Sequence, residues 1–263
     1  MRVGVFGAGG RMGSIVCAAV ANDPDLDLVA AVDPHHAGID LRQLTGLDVG
    51  LQISAGPQAL LDAGASVVVD FTVLEAARGN LEWCAENAVH AVVGTTGFTD
   101  ADHGRLRSIF TRSNCLIAPN FAIGAVLMMK FAEMAAPWFE TAEIVELHHD
   151  AKVDAPSGTA MMTARRMLAA SDQWADDPTR TFAAEGARGG DVGPIHVHAV
   201  RLRGLMAHHE VLFGTTGQML TIRHDSIDRG SFMPGVLLAC KEIANHRGLT
   251  VGLEPFLGLD AGS

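Results

Sequence analysis

The chain opens with Val3-Gly4-Val5-Phe6-Gly7-Ala8-Gly9-Gly10-Arg11-Met12-Gly13, and this stretch decides the fold. Residues 2–6 have the composition of a buried strand, residues 7–13 form a glycine loop, and residues 14–22 read as a helix ending at Asp23-Pro24. A strand, a glycine turn and a helix in that order let backbone N–H groups approach a pyrophosphate, with the positive end of the helix dipole behind them. Gly7 and Gly9 fill the first two positions of G-x-G-x-x-G, but the third falls on Met12. The spacing G-x-x-G-x-x-G is met by Gly7, Gly10 and Gly13. Dinucleotide binding and a purely structural turn both account for these glycines. Asp33 stands twenty residues beyond Gly13, at the end of the next strand. Its carboxylate can accept hydrogen bonds from ribose hydroxyls; the alternative is a strand-terminal acid opening the Asp33-Pro34 turn.

Outward from this unit, residues 28–33, 67–72, 91–94 and 115–118 are strand-like, and 75–87 and 100–112 are helical. Nearly continuous Val/Ile/Leu/Ala strands separated by helices predict a buried parallel sheet. Right-handed crossovers make it an α/β, doubly wound, Rossmann-like domain. The rhythm changes after Asn120: residues 123–136 read as a helix, 141–148 as a strand and 157–170 as a helix. The stretch 171–194 is polar and rich in Gly, Asp and Pro, as functional loops often are. Three strand patterns follow at 196–203, 209–214 and 219–224, the last two joined by a turn at Gly214-Thr215-Thr216-Gly217. Strands without intervening helices predict a second, α+β domain with a mixed or antiparallel sheet. Residues 231–245 return to helix and 249–253 are extended. If that tail packs back on the first domain, residues 1–122 with 233–263 form a discontinuous dinucleotide-binding domain, and 123–232 the second.

Composition narrows the function. Lys and Arg number 19 against 30 Asp and Glu, a formal net charge of -11. No basic surplus exists for nucleic acid, and an anionic ligand would need cations gathered locally. Cys17, Cys84, Cys115 and Cys240 are widely spaced without a CxxC pair and read as buried free thiols in a reducing compartment. Met1-Arg2 runs directly into a strand, so no signal peptide is expected. The richest apolar run, 122–129, is cut short by Lys130 and Glu133, too soon to span a bilayer. A cytoplasmic protein that binds neither membrane nor nucleic acid is expected.

Residues 146–159 read Glu-Leu-His-His-Asp-Ala-Lys-Val-Asp-Ala-Pro-Ser-Gly-Thr. His148 and Lys152 are proton donors of different strength, both favoured as cations beside a dianion. Ser157 has the character of an N-cap, which leaves the N–H groups of Gly158 and Thr159 free to bind a carboxylate. A polar loop before a capped helix accounts for the same residues. A metal site is disfavoured, because adjacent histidines lack the spacing of HExxH and a nearby Lys repels a dication. His196 and His198 share one strand face, where they would complete such a site or simply line a groove; His208-His209 reads the same way.

GAGGRMG at 7–13, VVGTTGF at 92–98, APNFAIG at 118–124 and ELHHDAKVDAPSGTA at 146–160 together resemble the 4-hydroxy-tetrahydrodipicolinate reductase family of bacterial lysine and diaminopimelate synthesis. VHAVRL at 197–202 and EVLFG at 210–214 extend the resemblance over essentially the whole chain. It implies cofactor contacts from Gly7, Ala8, Gly9, Gly10, Arg11 and Met12, from Asp33, from Gly94, Thr95 and Thr96, and from Ala118, Pro119, Asn120 and Phe121. It implies His148 as proton donor and acceptor, Lys152 as a second donor, His149 as a substrate contact, and Gly158 and Thr159 as binders of a substrate carboxylate. It further implies a homotetramer built through the second domain, NADH or NADPH as cofactor, and no metal. Many members place an Arg after the acid of the second strand; this chain has Pro34. NADH is therefore expected to serve at least as well as NADPH.

The sequence speaks against two other oxidoreductase chemistries. Tyr is absent, which excludes a Tyr–Lys pair. A semialdehyde dehydrogenase needs a nucleophilic Cys, and Cys115 opens an apolar strand, where thiols are inert. A nucleotide-sensing module explains the glycine loop but leaves the clustered proton donors unused.

Overall fold

The structure, a computed structural model of the chain, describes residues 1–259. It divides into two compact units, Met1–Ile123 with the segment from Arg229 onward, and Gly124–Asp228. In chain order the elements are β1 Arg2–Phe6, α1 Arg11–Ala21, β2 Asp27–Val32, α2 Arg42–Thr45, α3 Gln58–Asp62, β3 Val67–Asp70, α4 Leu74–Glu86, β4 His90–Val93, α5 Asp100–Ile109, β5 Cys115–Ile117, α6 Ile123–Ala135, β6 Thr141–His148, α7 Gly158–Ala170, β7 Gly190–Val192, β8 Ile195–Arg201, β9 Ala207–Thr215, β10 Gln218–Ser226, α8 Met233–Glu242 and β11 Leu249–Val251.

The first unit is a six-stranded parallel sheet in the order β11-β5-β4-β3-β1-β2. Val67, Val68 and Val69 of β3 are buried on both faces, as a central parallel strand requires. Burying each such side chain is worth roughly 1.5–3 kcal/mol. Leu81 and Cys84 of α4 and Leu106 of α5 cover Val68, Ala91 and Val93 on one face. A capping box, Thr99 with Asp102, starts α5, and the Asp102 carboxylate also takes two hydrogen bonds from Arg78 of α4, tying these helices together. On the other face α1 and α8 pack together, with α8 also reaching β3 and β4. Order reverses between β1 and β3, so the loops after these strands flank the switch point where doubly wound sheets hold ligands.

The second unit is an α+β layer. Its mixed sheet runs β10-β9-β6-β8-β7, with β6 parallel to β8 and the other pairs antiparallel. The inner face is built in tiers. Ala142, Phe213 and Leu220 form one, and Ile144, Val197, Val211 and Ile222 the next; Ala132, Ala160, Ala164 and Met167 of α6 and α7 pack on them. The third tier is polar, with Glu146, His209 and His224 beside Ala199, and the fourth holds His148 and Arg201 beside Ala207 and Ser226. The site residues are thus the continuation of one core face toward the C-terminal end of β6.

Differences from the sequence reading are local. Helix α1 begins at Arg11 rather than 14, because Gly10 itself serves as N-cap. The tail helix is 3-10 at Arg229–Phe232, α-helical at Met233–Glu242 and 3-10 again at Ile243–Asn245. The polar stretch 171–194 contains the short strand β7. Helices α2 and α3, four and five residues long, are too short to show a period in the sequence. Among the described residues no helix is long and apolar enough to cross a membrane.

Candidate active site

The glycine loop of the first unit is held by close contacts. Gly7 has φ +67°, which favours glycine, and a Cβ on Gly13 would stand 2.0 Å from the Gly7 carbonyl oxygen. The N–H of Gly10 donates to Gly7 O at 2.9 Å, and Ala8 is buried. No side chain caps α1, so the N–H groups of Arg11 and Met12 face outward without a hydrogen bond among the described residues. That open helix start behind a glycine cradle fits a pyrophosphate. The Asp33 carboxylate accepts from Gly9 N–H at 3.0 Å and His35 N–H at 2.9 Å, with His36 Nδ1 3.2 Å away. Burial raises its pKa, but the hydrogen bonds from His36, His35 and Gly9 outweigh burial and hold it below the ordinary value. Asp33 therefore caps a turn and ties the loop to β2 at once. Arg11 is exposed on the loop.

The other cofactor candidates follow β4 and β5. Gly94 N–H donates to Asp70 O, and a Cβ there would enter the Phe71 ring. Thr95 is buried, donating to Thr72 O at 2.8 Å, whereas Thr96 is exposed. Ala118 N–H donates to Val93 O, Pro119 is exposed, Asn120 Oδ1 accepts from Ala122 N–H, and buried Phe121 packs on Phe71. The loops bearing Gly7 to Met12, Gly94 to Thr96 and Ala118 to Phe121 all leave the C-terminal ends of parallel strands.

In the second unit one carboxylate organises the site. Glu146 is fully buried. Its Oε2 accepts from His148 Nδ1 at 2.5 Å and Arg201 Nη1 at 2.8 Å; Oε1 accepts from Arg201 Nη2 at 2.8 Å and Ser157 N–H at 3.0 Å. Burial raises the Glu146 pKa, and the hydrogen bonds from His148, Arg201 and Ser157 more than offset it, bringing it to about 2. Arg201 Nη2 also donates to Asp154 O at 2.6 Å, and the Asp154 carboxylate takes Lys152 Nζ at 2.7 and 2.9 Å. Ser157 caps α7 through Ala160 N–H, leaving the N–H groups of Gly158 and Thr159 unbonded among the described residues. His149 is half-buried and follows directly on the strand. His209, buried beside Glu146, is pushed down to about 4 by burial, and its Nε2 finds no partner.

The remaining sequence candidates lie elsewhere. His196 sits among Asp177 and Asp191, and His198 bonds to Glu143, on the face opposite the polar tiers. No His/Cys/Asp/Glu cluster suited to a metal occurs among the described residues. All four cysteines are buried and free, and burial raises their pKa values, Cys17 and Cys240 to about 12. Cys115 is therefore inert as a nucleophile.

Known proteins place the chain. Residues 1–121 match the family described as dihydrodipicolinate reductase, N-terminus, and residues 124–257 the same family's C-terminus. The chain belongs to the dihydrodipicolinate reductase family. Within it, the chain is 51% identical to the 4-hydroxy-tetrahydrodipicolinate reductase of Nocardia farcinica over 98% of its own length and 99% of that protein. It is 49% identical to that of Corynebacterium urealyticum, over 99% and 100%. The dipicolinate-bound dihydrodipicolinate reductase from Paenisporosarcina sp. TG-14 has a TM-score of 0.86 at 38% identity, over 97% of this chain and 98% of that one. An amine dehydrogenase from Mycobacterium smegmatis, at 15% identity and TM-score 0.65, shares the fold alone. As a dihydrodipicolinate reductase family member the chain is an oxidoreductase.

His148 and Ser157, the cap before Gly158 and Thr159, both bond Glu146, and Lys152 is linked to them through Asp154 and Arg201. Two features have no local signal in the sequence: the anchoring role of Glu146, and Arg201 on another strand; His209, one of the groove histidines, lies opposite Glu146 on β9. Alternation puts 197, 199 and 201 on one face of β8, but only the pairing of β8 with β6 brings Arg201 to Glu146.

Proposed function

We propose that the chain is a cytoplasmic enzyme that reduces 4-hydroxy-tetrahydrodipicolinate, through its dehydrated cyclic imine, to tetrahydrodipicolinate with NADH or NADPH, in lysine and diaminopimelate synthesis. The observation that carries this reading is that one buried carboxylate, Glu146, anchors both the imidazole of His148 and the open helix start at Ser157. Dipicolinate, bound in the Paenisporosarcina relative, is a planar dicarboxylate that suits such a seat.

The dehydrated substrate has a carbon–carbon double bond conjugated to its ring C=N, so the far carbon is electrophilic. The glycine loop at Gly7 to Met12 would hold a reduced nicotinamide cofactor, whose chemistry would be the supply of a hydride to that carbon. Gly158 and Thr159 N–H groups hold one carboxylate at the positive end of α7. His149 contacts the substrate beside it. The charge left on the ring is met by a proton from His148 Nε2, because Nδ1 is committed to Glu146. Lys152, held by Asp154, is the second donor and stabilises developing negative charge. His148 then regains its proton from solvent.

Gly7 to Met12 and Asp33 are proposed to bind the pyrophosphate and ribose, and Gly94 to Thr96 and Ala118 to Phe121 the remainder of the cofactor. Pro34 offers no charge to a 2′-phosphate, so NADH serves at least as well as NADPH. A homotetramer is proposed through the second unit. The outer face of its sheet carries half-buried Val145, Leu147 and Leu212 and exposed Val200 among ion-paired Glu143, His198, Glu210 and Arg223, a mixed surface suited to another subunit. The test is a steady-state assay with freshly generated 4-hydroxy-tetrahydrodipicolinate and each cofactor. Turnover with both, and kcat/KM for NADH equal to or above that for NADPH, is expected; no turnover with either refutes the reading.

A further inference from the structure

Glu146 and Arg201 form a bidentate pair at the base of the His148 side chain, and both belong to the same two tiers of the sheet as His148. Resting on the reading of His148 as proton donor, we propose that this pair is a positioning and tuning device: Glu146 fixes which imidazole nitrogen exchanges the proton, and Arg201 limits how strongly that carboxylate holds the imidazole charged.

The geometry supplies both halves. All four acceptor directions of Glu146 are taken, by His148 Nδ1, two Arg201 nitrogens and Ser157 N–H. An ionised carboxylate in that position makes Nδ1 the donor, and Nε2 is the only ring atom left to exchange a proton. A carboxylate facing an imidazole alone would favour the imidazolium strongly and make it a reluctant acid. Arg201 shares both carboxylate oxygens and offsets that charge. The same guanidinium bonds the Asp154 carbonyl, and Asp154 holds Lys152, so both proton donors hang on one frame.

The other groups around His148 do not supply this control. On its own tier Ala207 and Ser226 carry no charge. On the tier below, burial lowers the pKa values of His209, to about 4, and of His224, which favours neutral rings at both sites. Lys152 is paired with Asp154 at the loop, His149 follows His148 in the chain, and the first turn of α7 presents neutral Gly158 and Thr159. Glu146 and Arg201 are the two permanent charges bonded within its own frame.

The test compares wild type with Glu146→Gln, Glu146→Asp, Arg201→Met and Arg201→Lys. The His148 ring is followed by NMR titration, assigned by the resonance lost in His148→Gln, alongside the pH dependence of kcat. Glu146→Gln removes the anion while Arg201 stays, so the His148 pKa falls by about one unit or more, and the high-pH loss of kcat moves to lower pH. Arg201→Met leaves the anion unopposed, and both move to higher pH. Arg201→Lys and Glu146→Asp keep the charges but not the fork, so the pKa stays near wild type while kcat falls several-fold. Opposite shifts in the two charge-removing variants are the expected result. Titrations that coincide with wild type, or shift in the same direction, overturn the inference. Wild-type turnover in His148→Gln would instead overturn the proton-donor reading itself, whatever the titrations show.

Discussion

At the scale of single residues, His148 and Pro34 bear the most consequence. His148→Gln keeps a polar ring-sized side chain but cannot cycle a proton, so kcat is expected to fall by about 10²-fold or more. Steady-state kinetics at saturating substrate check this. Lys152→Ala should fail mainly in turnover, because it removes the proposed second proton donor, which Asp154 holds beside the Glu146–Arg201 pair. Pro34 opens the turn that Asp33 caps, and Pro34→Arg is expected to raise kcat/KM for NADPH relative to NADH by bringing a cation to a 2′-phosphate. An unchanged ratio would show that this position does not select the cofactor. Much of the site was legible at this scale, for a physical reason. His148, Lys152 and the Ser157 cap lie within one strand end, one loop and one helix start, so their nearness is readable from spacing, while their separate roles come from the family resemblance. Arg201 and His209 reach Glu146 from strands 55 and 63 residues further on. Only the register of the sheet, which no local pattern reveals, brings them there.

At the scale of elements, the glycine loop and the polar tiers make separate predictions. Gly13→Ala must displace the Gly7 carbonyl from α1, costing about 1–3 kcal/mol of stability and weakening nucleotide binding together. Urea unfolding and a nucleotide titration check both; wild-type values in each would contradict the close packing. His209 has a depressed folded-state pKa of about 4 against about 6.5 unfolded. Its contribution is complete above about pH 6.5 and is lost as pH falls toward 4, up to about 3 kcal/mol. Glu146 adds its own loss only lower, between its ordinary range and about 2. The difference in unfolding free energy between about pH 7.5 and about pH 5 should therefore shrink in His209→Asn. An unchanged difference would show that His209 does not control acid stability. The long strands and helices were readable because β3, β6 and α4 carry unbroken apolar or alternating patterns. Their ends were less so, since Gly10 as N-cap and the 3-10 turns around α8 depend on contacts rather than composition.

At the scale of the molecule, assembly and reaction are the two claims. Leu212 lies half-buried on the outer sheet face with Glu143 and Thr221 opposite it on the neighbouring strands. Leu212→Arg places a charge in the proposed subunit interface while keeping a partner in Glu143 for the isolated chain. Sedimentation is expected to show a tetramer for wild type and smaller species, still folded, for the variant. Unequal strand and helix rhythms before and after Asn120 already separated a parallel from a mixed sheet, because crossover helices and hairpins leave different spacings. The reaction is tested most directly by following a label. Wild-type protein is mixed with nicotinamide cofactor deuterated at its transferring position and freshly generated 4-hydroxy-tetrahydrodipicolinate, and the product is read by NMR. Deuterium on the ring carbon that had borne the hydroxyl, in wild type and at a far lower rate in His148→Gln, is the predicted result. Cofactor left unoxidised, or a product without the label, would contradict it.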